Sequence, residues 1–174
     1  MRTLLLTLLL SASSAFAQYP SKPIRLVSPF PPGGSVDVVG RLLSAKLSES
    51  LGQQMVVENR SGASGVIGTE LVMNSPPDGY TLLINTIPFV SNQFLMPRAP
   101  YDPLRDFVSI SLVASAPSFV TVHPSLPVKS IQELIAYAKS KPGQVFYSAA
   151  GVGTNPHIAG ELFNLLAGTN IIAV

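Results

Sequence analysis

The sequence predicts an α/β fold with mainly parallel sheets, and three observations predict it. Apolar, strand-like segments alternate with segments of helical periodicity along most of the chain. Two of the strand-to-helix joints carry glycine loops, PFPPGGSVD at 29–37 and SAAGVGT at 148–154. Gly52 and Gly168 stand just beyond two helical segments, where a left-handed residue ends a helix.

The elements follow in order. A first strand is expected at about 24–30. A helix runs from near Ser35 to Leu51, with Val36, Val39, Leu43 and Leu47 on one face. A second strand occupies 55–58, and a short helix ends near Met73 after the glycine-rich loop 59–65. Residues 75–79, Ser-Pro-Pro-Asp-Gly, form a turn, because proline presets φ and glycine supplies positive φ. The nearly all-apolar stretch 80–86 predicts a strand buried on both faces. Residues 88–103, with four prolines, are a short helix or loop, and 108–113 and 119–122 are expected as strands. Ser130 and Glu133 make a capping box opening a helix on Ile131, Leu134, Ile135 and Ala138. A strand at 145–150 and a helix at 156–167 follow, the latter with Leu162, Phe163 and Leu166 as its apolar face. Residues 171–174 read as a strand just beginning, so the chain is expected to be a truncated frame.

Residues 1–17 have the layout of a secretory signal peptide. Met1-Arg2 is a positive start, 3–10 are apolar, 11–14 are small and polar, and Ala15-Phe16-Ala17 fits an A-x-A cleavage site. The apolar run is far shorter than the ~20 residues a spanning helix needs. With no cysteine in the chain, a lipid anchor, disulfides, thiolate metal sites and a cysteine nucleophile are all excluded. No twin-arginine pair precedes the apolar run, which disfavours export of a prefolded cofactor enzyme. The expected location is therefore the periplasm. Eleven Lys and Arg against nine Asp and Glu, without a basic cluster, give no footprint for nucleic acid. Apolar residues at 47% are ample for a core.

The glycine loops carry the candidate chemistry. Residues 32–37 lack the Gly-Lys-Ser/Thr ending of a triphosphate loop. Gly151-Val152-Gly153 is half of a dinucleotide fingerprint whose third glycine would fall on Pro156. Either loop alone is an ordinary strand-to-helix turn. Two together, each leaving main-chain N–H groups free at a helix start, favour an anion site. Asp37 in a first helical turn either complements the helix dipole or accepts a ligand ammonium or hydroxyl. His157 also lies in a first turn, and His123 is incidental; two such distant histidines make no zinc site. No serine nucleophile elbow occurs, and Asp102 and Asp106 around Arg105 read as a solvated loop. No catalytic residue, metal or cofactor is expected.

Tyr19-Pro20-Ser21-Lys22-Pro23-Ile24-Arg25, then Pro29-Phe30-Pro31-Pro32-Gly33-Gly34 with Asp37, begin an ordered series of motifs. Val57-Glu58-Asn59-Arg60, Pro77-Asp78-Gly79-Tyr80, Tyr101-Asp102-Pro103 and Pro124-Ser125-Leu126-Pro127 continue it, and Ser148 to Thr154 with His157 close it. The series closely resembles the Bug family, the extracytoplasmic solute receptors of tripartite tricarboxylate transporters. The resemblance implies a periplasmic binding protein type II-like fold that closes two lobes on a small organic carboxylate, and no enzyme. Lobe one would span 18–118 without its C-terminal return segment, and 119–174 would start an incomplete lobe two. Carried over by position, the first-lobe contacts are Phe30, Pro31, Gly33, Gly34, Ser35 and Asp37, with Thr86 after the third strand. The second-lobe contacts are Ser148, Ala149, Ala150, Gly151, Gly153, Thr154 and His157. The turn 85–89 is bulkier and more apolar than the family's. Implied partners are the carboxylate and membrane permease subunits, with the receptor a monomer. The competing readings are a periplasmic enzyme acting on a small carboxylate or ester, and a non-functional truncated remnant.

Export predicts that N-terminal sequencing of the periplasmic protein returns Gln18; Met1 recovered from a membrane fraction would contradict it.

Overall fold

The computed structural model describes residues 19–174, so the expected signal segment lies outside the described residues. Ten regular elements follow one another. They are β1 (Ile24–Ser28), α1 (Ser35–Leu51), β2 (Met55–Asn59), α2 (Val66–Met73), β3 (Thr81–Leu83), α3 (Pro88–Leu95), α4 (Ile131–Ser140), β4 (Val145–Tyr147), α5 (Asn155–Ala167) and β5 (Ile171–Ala173). A single 3₁₀ turn, Ala63–Gly65, precedes α2.

β1, β2 and β3 form one sheet in the order β2-β1-β3, and β4 pairs with β5 in a second; every pairing is parallel. Ile24 pairs with Met55 and Ser28 with Asn59, which brings the ends of β1 and β2 level. Because β2 and β3 flank β1 on opposite sides, the strand order reverses at β1. Ligands bind such sheets in the crevice at the carboxyl end of the strands beside that reversal.

The main core lies where α1 covers this sheet. Ile24, Leu26, Met55 and Ile84 are buried, and Val36, Val39, Leu43 and Leu47 pack onto them from the expected helix face. β1 stops at Ser28, short of the expected Phe30, because Pro29 has no N–H for the ladder. α1 ends at Gly52 in the left-handed conformation, φ 66°, as the sequence requires.

Three expectations are corrected. β3 is half-buried and not enclosed on both faces, and among the described residues β1 alone pairs with it, so it stands at the sheet's edge. Residues 108–113 and 119–122 are not strands. Val108, Ile110, Leu112, Phe119 and Val120 lie exposed there, because β-propensity without a neighbouring strand makes no ladder. The apolar face expected on α5 is not packed either. Leu162 and Leu166 are exposed and no residue of α5 is buried, whereas α4 buries Leu134 and Ala138.

Gly68 shows how closely α2 approaches the β1–α1 connection. A Cβ there would stand 2.8 Å from Arg60 O and from Pro29 Cα, both main-chain atoms. Alanine is the better helix former by about 1 kcal/mol, but overpacking against rigid neighbours costs ~1–3 kcal/mol. Gly68→Ala is therefore expected to lower the urea midpoint, and a raised midpoint would show that the contact relaxes freely.

Candidate functional site

The β1–α1 loop is shaped by one carboxylate. Asp37 is 3% exposed. Its Oδ2 accepts from Gly33 N and Arg41 Nε, each at 2.9 Å, and its Oδ1 accepts from Asn59 Nδ2 at 2.9 Å. Asn59 Nδ2 also donates to Phe30 O at 3.1 Å, and Arg41 Nη2 donates to Asn59 Oδ1 at 3.2 Å. The guanidinium of Arg41, then the Gly33 N–H and the Asn59 amide, hold the Asp37 carboxyl far below the usual carboxylate range. Both oxygens thus serve the loop, which is more than the dipole complement read from position alone. Gly33 turns the chain at φ 82°, and Gly34, extended, caps α1 without a side chain. The first-turn N–H groups of α1 therefore face outward from Ser35 with no cap.

The second loop repeats this at the end of β4. Ala149 N donates to Val174 O at 3.0 Å, which holds the start of the loop to the sheet; Ser148 and Ala150 are exposed. Gly151 and Gly153 take positive φ, 134° and 80°. Thr154 is the N-terminal cap residue of α5, yet its Oγ1 turns back and donates to Gly151 O at 2.7 Å. No side chain caps α5. His157 Nδ1 accepts from Gly153 N at 3.4 Å. Tyr147 OH braces the first turns of α5 through His157 O at 3.2 Å and Glu161 Oε1 at 2.9 Å. Burial and the Glu161 carboxylate push that phenol up to about 12, so it stays a donor.

The turn 62–65 lies between the loops. A Cβ on Gly65 would sit 3.4 Å from the Phe30 ring, and one on Gly151 would sit 3.6 Å from Ser64 Oγ. Four successive residues here have positive φ: Gly62 139°, Ala63 47°, Ser64 52° and Gly65 90°. For Ala63 and Ser64 this costs ~1–2 kcal/mol each. The structure thus brings the residues expected from both loops around one turn. Thr86 is exposed, and its carbonyl accepts from Phe89 N as α3 begins.

Sequence reasoning gave no role to Arg41, Asn59, Ser64, Ser91 or Asn92. Arg41 was within reach as the i+4 partner of Asp37. Asn59 becomes visible only through the parallel register that sets it beside Ser28. Among the described residues no cluster of His, Asp and Glu is arranged to hold a metal, and no helix is long and apolar enough to cross a membrane.

The family model described as the tripartite tricarboxylate transporter family receptor matches residues 39–174. Protein BugT of Bordetella pertussis is 44% identical over 155 residues, covering 88% of this chain and 48% of that protein. The structure of R. palustris Rpa4515 with adipate matches with a TM-score of 0.85 and 39% identity, over 90% of this chain and 52% of that one. MatC (Rpa3494) from Rhodopseudomonas palustris with bound malate matches with a TM-score of 0.81 and 29% identity, over 90% and 53%. The chain spans about half the length of the curated relatives it matches.

The Asp37 network predicts a pH signature. A carboxyl depressed by folding stabilises fully above its unfolded value of 3.8, and that contribution fades as pH falls below it. Asp37→Asn should melt below the parent protein at about pH 7, with the gap narrowing at about pH 3. A gap equal at both would show that the charge is not what holds the loop.

Proposed function

Because the chain belongs to the tripartite tricarboxylate transporter receptor family, we propose that it is an extracytoplasmic receptor for a small organic carboxylate. In this reading it captures the acid in the periplasm as a monomer and presents it to the membrane permease subunits of its transporter. Its first lobe spans 18–118, and 119–174 belong to its second.

The observation that carries the proposal is a pair of helix starts, α1 and α5, each opening from a glycine loop at the carboxyl end of a parallel strand, each without a side-chain cap. Free N–H groups and the positive end of the helix dipole suit a carboxylate at either place. Two starts on either side of one turn suit a ligand with two oxygen-bearing ends. Ser35 and the N–H groups of Gly34 to Asp37 receive one end, with Phe30 and Pro31 walling the loop. Ser148 to Gly151, Gly153, Thr154 and His157 receive the other, and Thr86 lies at the rim. Asp37 acts by holding Gly33 and the start of α1 in place. The acids found with the two structural relatives, adipate and malate, are of this class.

The test is saturation-transfer NMR, which reads weak as well as tight binding, with adipate and malate in the presence of chelator. Saturation should reach both acids, each should compete with the other, and the dimethyl esters should receive none. No transfer to any carboxylate in a wider panel, or a strict need for added metal, would overturn the proposal. Conversion of the acid or of its ester during the experiment would establish an enzyme instead.

A further inference from the structure

Ser64 and Ser91 reach from the three-stranded unit to the second glycine loop. Ser64 Oγ donates to Val152 O at 2.9 Å, and Ser91 Oγ donates to Gly153 O at 3.0 Å. These are consecutive carbonyls. In a planar trans peptide the C=O and the following N–H point in opposite directions. Holding both carbonyls therefore fixes two successive peptide planes and turns the N–H groups of Gly153 and Thr154 away from the serines. There they meet His157 Nδ1 at 3.4 Å and Gly151 O at 3.3 Å. The Thr154 contact exceeds the usual N–H···O range of about 2.7–3.2 Å and the N–H···N contact of Gly153 is longer still, so a carboxylate can displace these acceptors at little cost.

The turn carrying Ser64 is strained toward this contact. Ser64 is left-handed, φ 52° and ψ 36°, and Ala63 before it is left-handed too. Such strain persists where surrounding contacts impose it, commonly at ligand clamps. Ser64 O is gripped in turn by Asn92 Nδ2 at 3.2 Å, with Asn92 1% exposed. On the facing side, a Cβ on Gly153 would stand 2.8 Å from Leu95 Cδ1, so the loop presses closely onto α3.

We infer that Ser64 and Ser91 are positioning residues, a two-hydroxyl latch that closes the two units without ligand and sets residues 151–154 in their binding register. The second half of this statement rests on the carboxylate-receptor reading; the first does not.

The chain has no cysteine, so Leu42→Cys on α1 and Leu165→Cys on α5, both exposed, give two unique spin-label sites. Without ligand, the parent should show one narrow inter-label distance distribution. Ser64→Gly with Ser91→Ala should lengthen and broaden it, while circular dichroism shows the fold retained. Glycine is chosen at 64 because it accepts positive φ without strain. Ser91→Thr, which keeps the hydroxyl, should restore the narrow distribution when combined with native Ser64. In the double variant adipate affinity should fall about tenfold or more, equivalent to ~1.4 kcal/mol. A distribution that superimposes on the parent's overturns the latch, and unchanged adipate affinity overturns the positioning role. Failure of the parent to bind any carboxylate would overturn the receptor reading, with the distances still deciding the latch.

Discussion

One buried carboxylate organises the first half of this molecule. Asp37 takes a main-chain N–H from Gly33, a guanidinium from Arg41 and an amide from Asn59, so it ties together the loop, the helix that follows it and the end of the neighbouring strand. A Pro-Pro-Gly-Gly segment has little means of fixing itself, since its prolines donate no hydrogen bond and its glycines are conformationally permissive. The fixed geometry comes from outside the segment, through a charge satisfied on every side. Because those donors stabilise the ionised form, the group stays charged through the physiological range and the loop keeps its shape there.

The helix starts show where the chain withholds stabilisation. α4 is capped by Ser130, whose Oγ accepts from Glu133 N at 3.2 Å, and Glu133 Oε2 accepts from Lys129 N at 2.7 Å. A capped start satisfies its own donors and has little to offer a ligand. α1 begins instead on Gly34, which has no side chain, and α5 on Thr154, whose hydroxyl is turned to Gly151 O. A side-chain cap typically contributes ~1 kcal/mol. α2 and α3 also begin without a side-chain cap, so the approach of the α1 and α5 loops to one turn, 62–65, and not the missing cap, is what marks these two starts.

Local patterns were legible in the sequence, and pairing partners were not. The face of α1, its stop at Gly52, the α4 cap and the parallel character of the sheets all follow from spacing and residue type within short windows. Residues 108–113 and 119–122 have the composition of strands, but a strand exists only with a neighbour to bond, and none lies beside them among the described residues. The same holds for Leu162 and Leu166 on α5, whose periodicity states that a face is apolar without stating what covers it. At the site, the loop residues were readable as loops. Ser64 and Ser91 were not, since nothing in a serine's local context announces a bond to a carbonyl 88 or 62 residues away.

That contrast separates two properties of the proposed receptor. Carboxylate capture by main-chain N–H groups needs only a strand end, a glycine loop and one helical turn, each encoded by neighbouring residues. It tolerates change in the ligand's remaining atoms, because main-chain donors read an anion and not a carbon skeleton. Closure depends on contacts far apart in sequence, and here these are two serine hydroxyls and the close approach of Gly153 to Leu95. A hydrogen bond of this kind contributes about 1 kcal/mol net, so two of them bias an open–closed equilibrium without locking it. A substitution in the 62–65 turn or on α3 can therefore shift how readily the molecule closes while leaving both anion-binding helix starts as they are.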